Sequence, residues 1–391
     1  MNERELREAL RRAPVDERAR ERSRRVVQAA YRELVPASSR RARPRRRWAL
    51  VVAACVATTL VAVSVTRSPT DALGRWLRDA VGIDARDARP FFGEVPGGGR
   101  LLVTAGKSVW VVAPDGVKRR LGRYDGASWS PRGLFVVAWR GGELTALEPD
   151  GDVRWSLRRP QAVTSARWVP GDGYRIAYTT GATLRVVNGD GTGDRRFART
   201  RPHSAFAWRP GGGHVLAYVD AARRVRVADV DTGLTLWRSR PLRGPDTLAW
   251  SPRGRRLAVL TSDQALLFDG DARHVQLRQP RTAARATAAA WSARGQLVLR
   301  QYDVVANRSD LVLFGLAGDR RTLFTAPGAL GPVEWSPGGR SLLVAWPAGD
   351  QLLLLAPDAR RMTVRALGDV AAQFAPGSVR GRFPTAIEWT P

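Results

Sequence analysis

A chain of 391 residues with 44% apolar and 26% charged side chains is folded, and it is too long for one hydrophobic core, so it must hold several domains or a repeat. Cys55 is the single cysteine, which excludes a disulfide framework and a cysteine metal cluster within the chain. The formal charge is +28, and of the 64 basic residues only Lys107 and Lys118 are lysine. A GC-rich coding sequence produces such an arginine skew, and the resulting field favours anionic partners.

Residues 1–47 read as a basic cytoplasmic tail of two short helices broken near Pro14. Leu6 and Leu10 share one helical face, as do Val26, Val27, Ala30, Tyr31 and Leu34. Trp48 to Thr66 then runs for nineteen positions without a charge, and a helix of that length spans about 28 Å, close to the hydrocarbon thickness of a bilayer. Arg40, Arg41, Arg43, Arg45, Arg46 and Arg47 stand before this run and only Arg67 directly after it. The asymmetry sets the topology of an uncleaved signal anchor: a single-pass protein of the cell membrane, cytoplasmic N-terminus, everything after Thr66 extracytoplasmic. A cleaved signal peptide is the competing reading, but forty-seven residues precede the run and no small-x-small site closes it. Residues 67–99 form a linker in which 68–82 suggests a short amphipathic helix bearing Leu73, Trp76, Leu77 and Val81, followed by a Pro/Gly-rich stretch.

From residue 100 the chain repeats. A tryptophan followed by a turn signature recurs at Trp129, Trp168, Trp208, Trp250, Trp291 and Trp335, in steps of 39, 40, 42, 41 and 44 residues. Each turn leads into apolar runs of five or six residues such as LFVVAW and HVLAYVD, bounded by Gly, Pro and Asp, which predicts four strands per repeat. The segment 100–124 supplies three strands with no tryptophan strand, and FPTAIEWTP near residue 391 supplies a tryptophan strand alone, so the two ends complete one further blade around Trp389. The expectation is an all-β, seven-bladed propeller of four-stranded antiparallel blades over 100–391, with six or eight as the neighbouring counts. The 54-residue step from Trp335 to Trp389 makes Phe374 a possible degenerate anchor, and we read 370–382 as an inserted loop instead. The tryptophans are taken as structural blade anchors packed between neighbouring blades.

The W-S-P-x-G anchor followed by an apolar strand resembles the TolB-type, WD40-like propeller repeat, also called PD40. The layout of basic tail, anchor and propeller is similar to membrane-anchored propeller proteins of high-GC actinobacteria. The resemblance implies a propeller and says little about activity; the recurring Gly-His and Trp-Asp pairs of true WD40 blades are absent here.

No G-x-S-x-G elbow occurs, and the three histidines, His203, His214 and His274, are scattered, so neither catalysis nor a cofactor or metal is expected. His203 could face an axial mouth, although a loop histidine explains it as well. Asp190, Gly191 and Asp194 resemble a calcium loop faintly and a hairpin turn better. Asn307-Arg308-Ser309 fits a glycosylation sequon. The functional expectation is a non-enzymatic, membrane-anchored binding module for a protein or an anionic cell-envelope component outside the cell, with nucleic acid not expected as a partner. The alternative is a transmembrane signalling or anti-sigma-like regulator, the propeller sensing and residues 1–47 holding a cytoplasmic protein partner.

Overall fold

In a computed structural model of the chain, the described residues are 61–64 and 94–391, apart from 172, 212, 270–273, 277–283, 316–318, 358–360 and 376–380. They belong to one compact unit, Thr59–Pro391.

Seven antiparallel sheets follow one another along the chain. Blade 1 comprises β5 (Gly126–Trp129), β6 (Val136–Arg140), β7 (Glu143–Leu147) and β8 (Val153–Arg158). Blade 2 comprises β9 (Val163–Trp168), β10 (Arg175–Thr180), β11 (Thr183–Asn188) and β12 (Arg195–Arg199). Blade 3 has β13 (Phe206–Trp208), β14 (Val215–Val219), β15 (Val225–Asp229) and β16 (Thr235–Arg238), and blade 4 has β17 (Thr247–Trp250), β18 (Arg256–Leu260), β19 (Ala265–Asp269) and β20 (His274–Gln276). Blade 5 is β21 (Ala284–Trp291), β22 (Leu297–Asp303), β23 (Arg308–Phe314) and β24 (Arg320–Pro327). Blade 6 is β25 (Val333–Trp335), β26 (Leu342–Trp346), β27 (Gln351–Pro357) and β28 (Arg361–Leu367). The seventh sheet joins β29 (Pro384–Thr390) to β2 (Arg100–Ala105), β3 (Ser108–Val112) and β4 (Lys118–Arg123), in the order β29-β2-β3-β4. Its register pairs Leu101 with Trp389 and Val103 with Ile387, so the expected union of the two ends closes the ring.

The tryptophan-bearing strands β5, β9, β13, β17, β21, β25 and β29 touch in that cyclic order and form the inner ring. Seven apolar clusters fill the seven interfaces between neighbouring blades, and each cluster contains one repeat tryptophan. Trp208, for example, packs with Leu184, Val186 and Leu216 between blades 2 and 3. Four indoles also reach back one blade to a main-chain carbonyl of the preceding inner strand. Trp208 Nε1 donates to Arg167 O at 3.0 Å, Trp250 to Ala207 O at 3.2 Å, Trp291 to Ala249 O at 3.0 Å and Trp335 to Ala290 O at 3.2 Å. Trp389 Nε1 donates to Gly98 O at 2.9 Å. The fixed spacing of the repeat is therefore the spacing of inter-blade contacts.

In blades 1, 4, 5 and 6 the residues that follow the tryptophan fold the turn after the inner strand. Ser130 accepts the Gly133 N–H on its carbonyl and the Phe135 N–H on its hydroxyl, both at 2.9 Å or less from nitrogen to oxygen, and Gly133 adopts φ 63°. Ser251, Ser292 and Ser336 make the same pair of bonds in blades 4, 5 and 6. A buried serine that satisfies two backbone donors explains why that position is polar beside an apolar strand.

One expectation is corrected. Residues 370–382 are not wholly a loop: α1 (Val370–Gln373) lies there, and Phe374 beyond it is buried edge-to-face on Trp110, with ring centroids 6.1 Å apart. Phe374 thus plugs the interface of blades 6 and 7 and anchors no strand. Val61–Ser64, the end of the run expected to be a membrane helix, forms β1 and pairs antiparallel with β28, giving blade 6 a fifth strand. Two valines in alternation suit an extended strand, and the outer edge of β28 offers unpaired backbone groups. The rest of 48–66, the helices expected within 1–47 and 68–82, and Arg40 to Arg47 lie outside the described residues. Among the described residues, no helix is long and apolar enough to cross a membrane.

Candidate functional site

Inner strands run in one sense and second strands in the other, so loops entering an inner strand share a face with loops joining second and third strands. On that face, between blades 3 and 4, four loops enclose a cavity of about 600 Å³. The β12–β13 loop contributes Arg201, Pro202, His203 and Ser204; the β14–β15 loop contributes Arg223. Arg243, Gly244, Pro245 and Asp246 come from the β16–β17 loop, and Ser262 from the β18–β19 loop.

Backbone hydrogen bonds hold these loops against one another. Leu242 N–H donates to Arg223 O at 2.9 Å, and Ser262 donates both its N–H and its hydroxyl to Arg243 O, at 3.0 and 3.1 Å. Ser204 Oγ accepts the Arg201 N–H at 3.0 Å, which leaves its own hydroxyl proton free to donate. The β14–β15 loop is folded around Asp220, whose Oδ1 accepts the N–H groups of Ala222 and Arg224 at 2.9 Å while Oδ2 accepts Arg226 Nε at 2.7 Å. Burial opposes the Asp220 carboxylate, but the Arg224 N–H and the Arg226 guanidinium outweigh it and hold the carboxyl below its usual range. His203 and Arg223 both adopt left-handed backbone, at φ 58° and 60°. Non-glycine residues are rarely held there without a surrounding structure that demands it.

A second polar group lies on the axis. Arg167 on β9 pairs with Glu388 on β29 at 3.0 Å, linking blade 2 to blade 7 past the intervening blade 1, and the Trp129 N–H donates to Glu388 Oε2 at 2.8 Å. Glu334 on β25 lies in the same group and accepts the Trp389 N–H. Burial, and then the negative charge of Glu388, push its carboxyl up to about 8; Arg167 and the Trp389 N–H pull weakly the other way. The group can bind a proton and tie four blades together. No nucleophile or histidine belongs to it among the described residues.

The other residues singled out from sequence do not converge. His214 holds Asp231 Oδ2 on Nδ1 at 2.5 Å and Gly173 O on Nε2 at 3.0 Å, so both ring nitrogens are used within blades 2 and 3. His274 stands in β20 opposite Phe268. Asp190 accepts the Thr192 N–H and hydroxyl in its own hairpin, and Asp194 is buried under Tyr178, Arg159 and Arg185, so the GDGTGD turn spends its carboxylates on the protein. Asn307 sits at a β22–β23 turn with φ 44°, its Oδ1 accepting the Tyr302 hydroxyl at 2.9 Å. An exposed carboxylate group escaped the sequence reading: ligand oxygens of Glu148, Asp150 and Asp152 lie within 4.8 Å of one another, although Glu148 is paired with Arg154. The basic pocket escaped it too. Its signal was an arginine beside a proline or glycine in successive inner-strand loops (Arg201-Pro202, Arg243-Gly244-Pro245), which becomes a pattern only when the loops are superposed blade on blade.

No protein-family description matches the chain, and no curated protein matches it by sequence. Solved structures do match. The chain is similar to the β-propeller domain of Cps50 (Swd1) from Myceliophteria thermophila, with a TM-score of 0.52 at 16% identity over 71% of this chain and 96% of that one. It is also similar to a chain in the Mitotic Checkpoint Complex, with a TM-score of 0.53 at 15% identity over 72% of this chain and 98% of the other. Together with the seven closed sheets, these likenesses establish the fold: a seven-bladed, WD40-like β-propeller.

Proposed function

We propose that the protein is a non-enzymatic interaction module that docks a partner protein on the face bearing the pocket between blades 3 and 4. The observation that carries this is the pocket itself: three arginines set in loops that backbone bonds hold in place, on a ring whose inter-blade packing is continuous. A rigid scaffold that presents loops at one end is the usual arrangement of a binding surface. The fold supports it further, since one structural neighbour is a component of a named multiprotein complex. The PD40-type resemblance of the repeat agrees with such a role.

The test is photo-crosslinking from lysate of the source cell, with the probe placed at position 201 or 243 in one set of full-length proteins and at position 294 on the opposite face in another. The same partner protein captured from 201 and 243, but not from 294, is the expected result. Capture that is equal from both faces, or none from the pocket face, overturns the proposal.

Placement in a membrane is a separate part of the reading. Nineteen uncharged residues preceded by six arginines support an anchor with the propeller outside the cell. The same residues 61–64 cannot pair with β28 and span a bilayer at once. Recovery of the full chain in the pellet after carbonate extraction supports the anchor; release into the supernatant removes it, along with the idea of a cytoplasmic partner for residues 1–47.

A further inference from the structure

We propose that the pocket between blades 3 and 4 is a seat for a phosphate monoester carried on a side chain of the partner. This rests on the interaction reading above and narrows it to one chemistry.

The cavity gathers three arginines from three separate loops. Arg201, Arg223 and Arg243 line it, and none of their side chains has a carboxylate or hydrogen-bond partner among the described residues. Some arginines elsewhere are engaged: Arg175 with Asp231, Arg226 with Asp220, Arg285 with Asp246. The last of these pairs also occupies the pocket's only carboxylate, so Asp246 does not neutralise the three guanidiniums. A single carboxylate is matched by one guanidinium fork, whereas a phosphate monoester brings a charge of about −1.5 to −2 and three acceptor oxygens. Three forks around one cavity suit the second ligand. Ser204 adds a hydroxyl donor, because its oxygen already accepts the Arg201 N–H and its proton remains available.

Two buried polar atoms stand in the same loops, next to lining residues and outside the lining itself. Thr200, which heads the β12–β13 loop, is 4% exposed, and its hydroxyl is buried without a partner; Arg224 Nε, in the β14–β15 loop beside Arg223, is likewise buried and unpartnered. The two left-handed residues, His203 and Arg223, stand in those same two loops. At about 600 Å³ the cavity exceeds a bare phosphate and admits the side chain that bears it.

Isothermal titration of the full-length protein at fixed ionic strength tests the assignment, with phenyl phosphate as probe, benzoate as the monoanionic control, and a phosphoserine peptide beside its glutamate counterpart. The expected result is saturable one-to-one binding of phenyl phosphate, at least tenfold weaker binding of benzoate, and preference for the phosphoserine peptide. Arg201→Gln, Arg223→Gln and Arg243→Gln should each weaken phenyl phosphate at least fivefold, with Arg294→Gln on the opposite face leaving it unchanged; matching far-UV circular dichroism shows that each variant is folded. Equal affinity for benzoate, or equal losses in Arg294→Gln and the pocket variants, overturns the seat and leaves a diffuse basic surface. Partner crosslinking from 201 and 243 that persists without phosphate selectivity defeats this inference alone. Phosphate selectivity without crosslinking defeats the interaction reading and makes the ligand a free phosphate ester.

Discussion

Replacing Glu334 by glutamine should stabilise the propeller, and by more as pH rises from about 4.5 to 8. A carboxyl moved from its ordinary 4.5 to about 8 is ionised in the unfolded chain over a range where the folded ring keeps it protonated. The folded state therefore binds the proton more tightly. The group's stabilising contribution is full below about pH 4.5, declines as pH rises towards 8, and is gone above it. At about 1.4 kcal/mol for each pH unit between those values, the ceiling is about 5 kcal/mol. Glu334 is not sealed from solvent, and water in the channel screens its charge, which brings the expected penalty to about 2–3 kcal/mol. Glutamine keeps an oxygen for the Trp389 N–H and carries no charge against Glu388. Urea unfolding of the full-length protein and of Glu334→Gln at pH 5, 7 and 9 measures the difference, and groups common to both proteins cancel. The two should agree to within about 0.5 kcal/mol at pH 5 and diverge by about 2–3 kcal/mol at pH 9, the variant being the more stable. Parallel curves, or a wild-type protein that gains on the variant as pH rises, would refute the electrostatic account of the axial group.

Trp208→Ala should cost about 3–5 kcal/mol, because it empties the interface of blades 2 and 3 and leaves Arg167 O without its indole donor; an unchanged melting temperature contradicts this. Asp194→Asn withdraws the charge that Arg159 and Arg185 share under blade 2, and a loss of about 3 kcal/mol in urea unfolding is expected. Asp220→Ala releases the β14–β15 loop from three hydrogen bonds, so hydrogen exchange at Ala222 and Arg224 should quicken while the inner strands stay protected. Glu388→Gln should lower the Glu334 carboxyl towards its ordinary range, which a shift of its carbon-13 titration midpoint to lower pH would report.

The architecture was legible because each blade writes the same physical demand into the chain. An indole must fill a wedge between sheets, and in four blades a serine caps the turn that follows it, so the tryptophans recur at the period of the blades. Closure was legible from the complementary deficits at residues 100–124 and 384–390. What escaped depends on distances between blades. Arg201, Arg223 and Arg243 look like ordinary loop arginines in a chain with more than sixty basic residues, and only the stacking of blade 3 on blade 4 brings them to one cavity. Glu334 and Glu388 each precede a tryptophan, and nothing local says that the two will meet on the axis. Phe374 was ambiguous because its step of 39 residues from Trp335 imitates the repeat, while α1 turns it into a plug. At Val61–Ser64 an apolar run without charges fits a bilayer helix and a valine-rich strand equally well, and pattern alone does not choose between them.

The seal between β2 and β29 has a consequence for how the protein is made. Thr385 donates to Thr104 O across 281 positions of sequence, so the strand that finishes the circle is synthesised last of all its parts. Until then a ribosome-bound chain carries six finished sheets and a seventh that lacks its innermost member. The inner faces of the first and last blades bury one another only when β29 docks on β2. The nascent protein therefore spends most of its synthesis as an open arc with two bare sheet faces, and that interval is when it most needs a chaperone's cover.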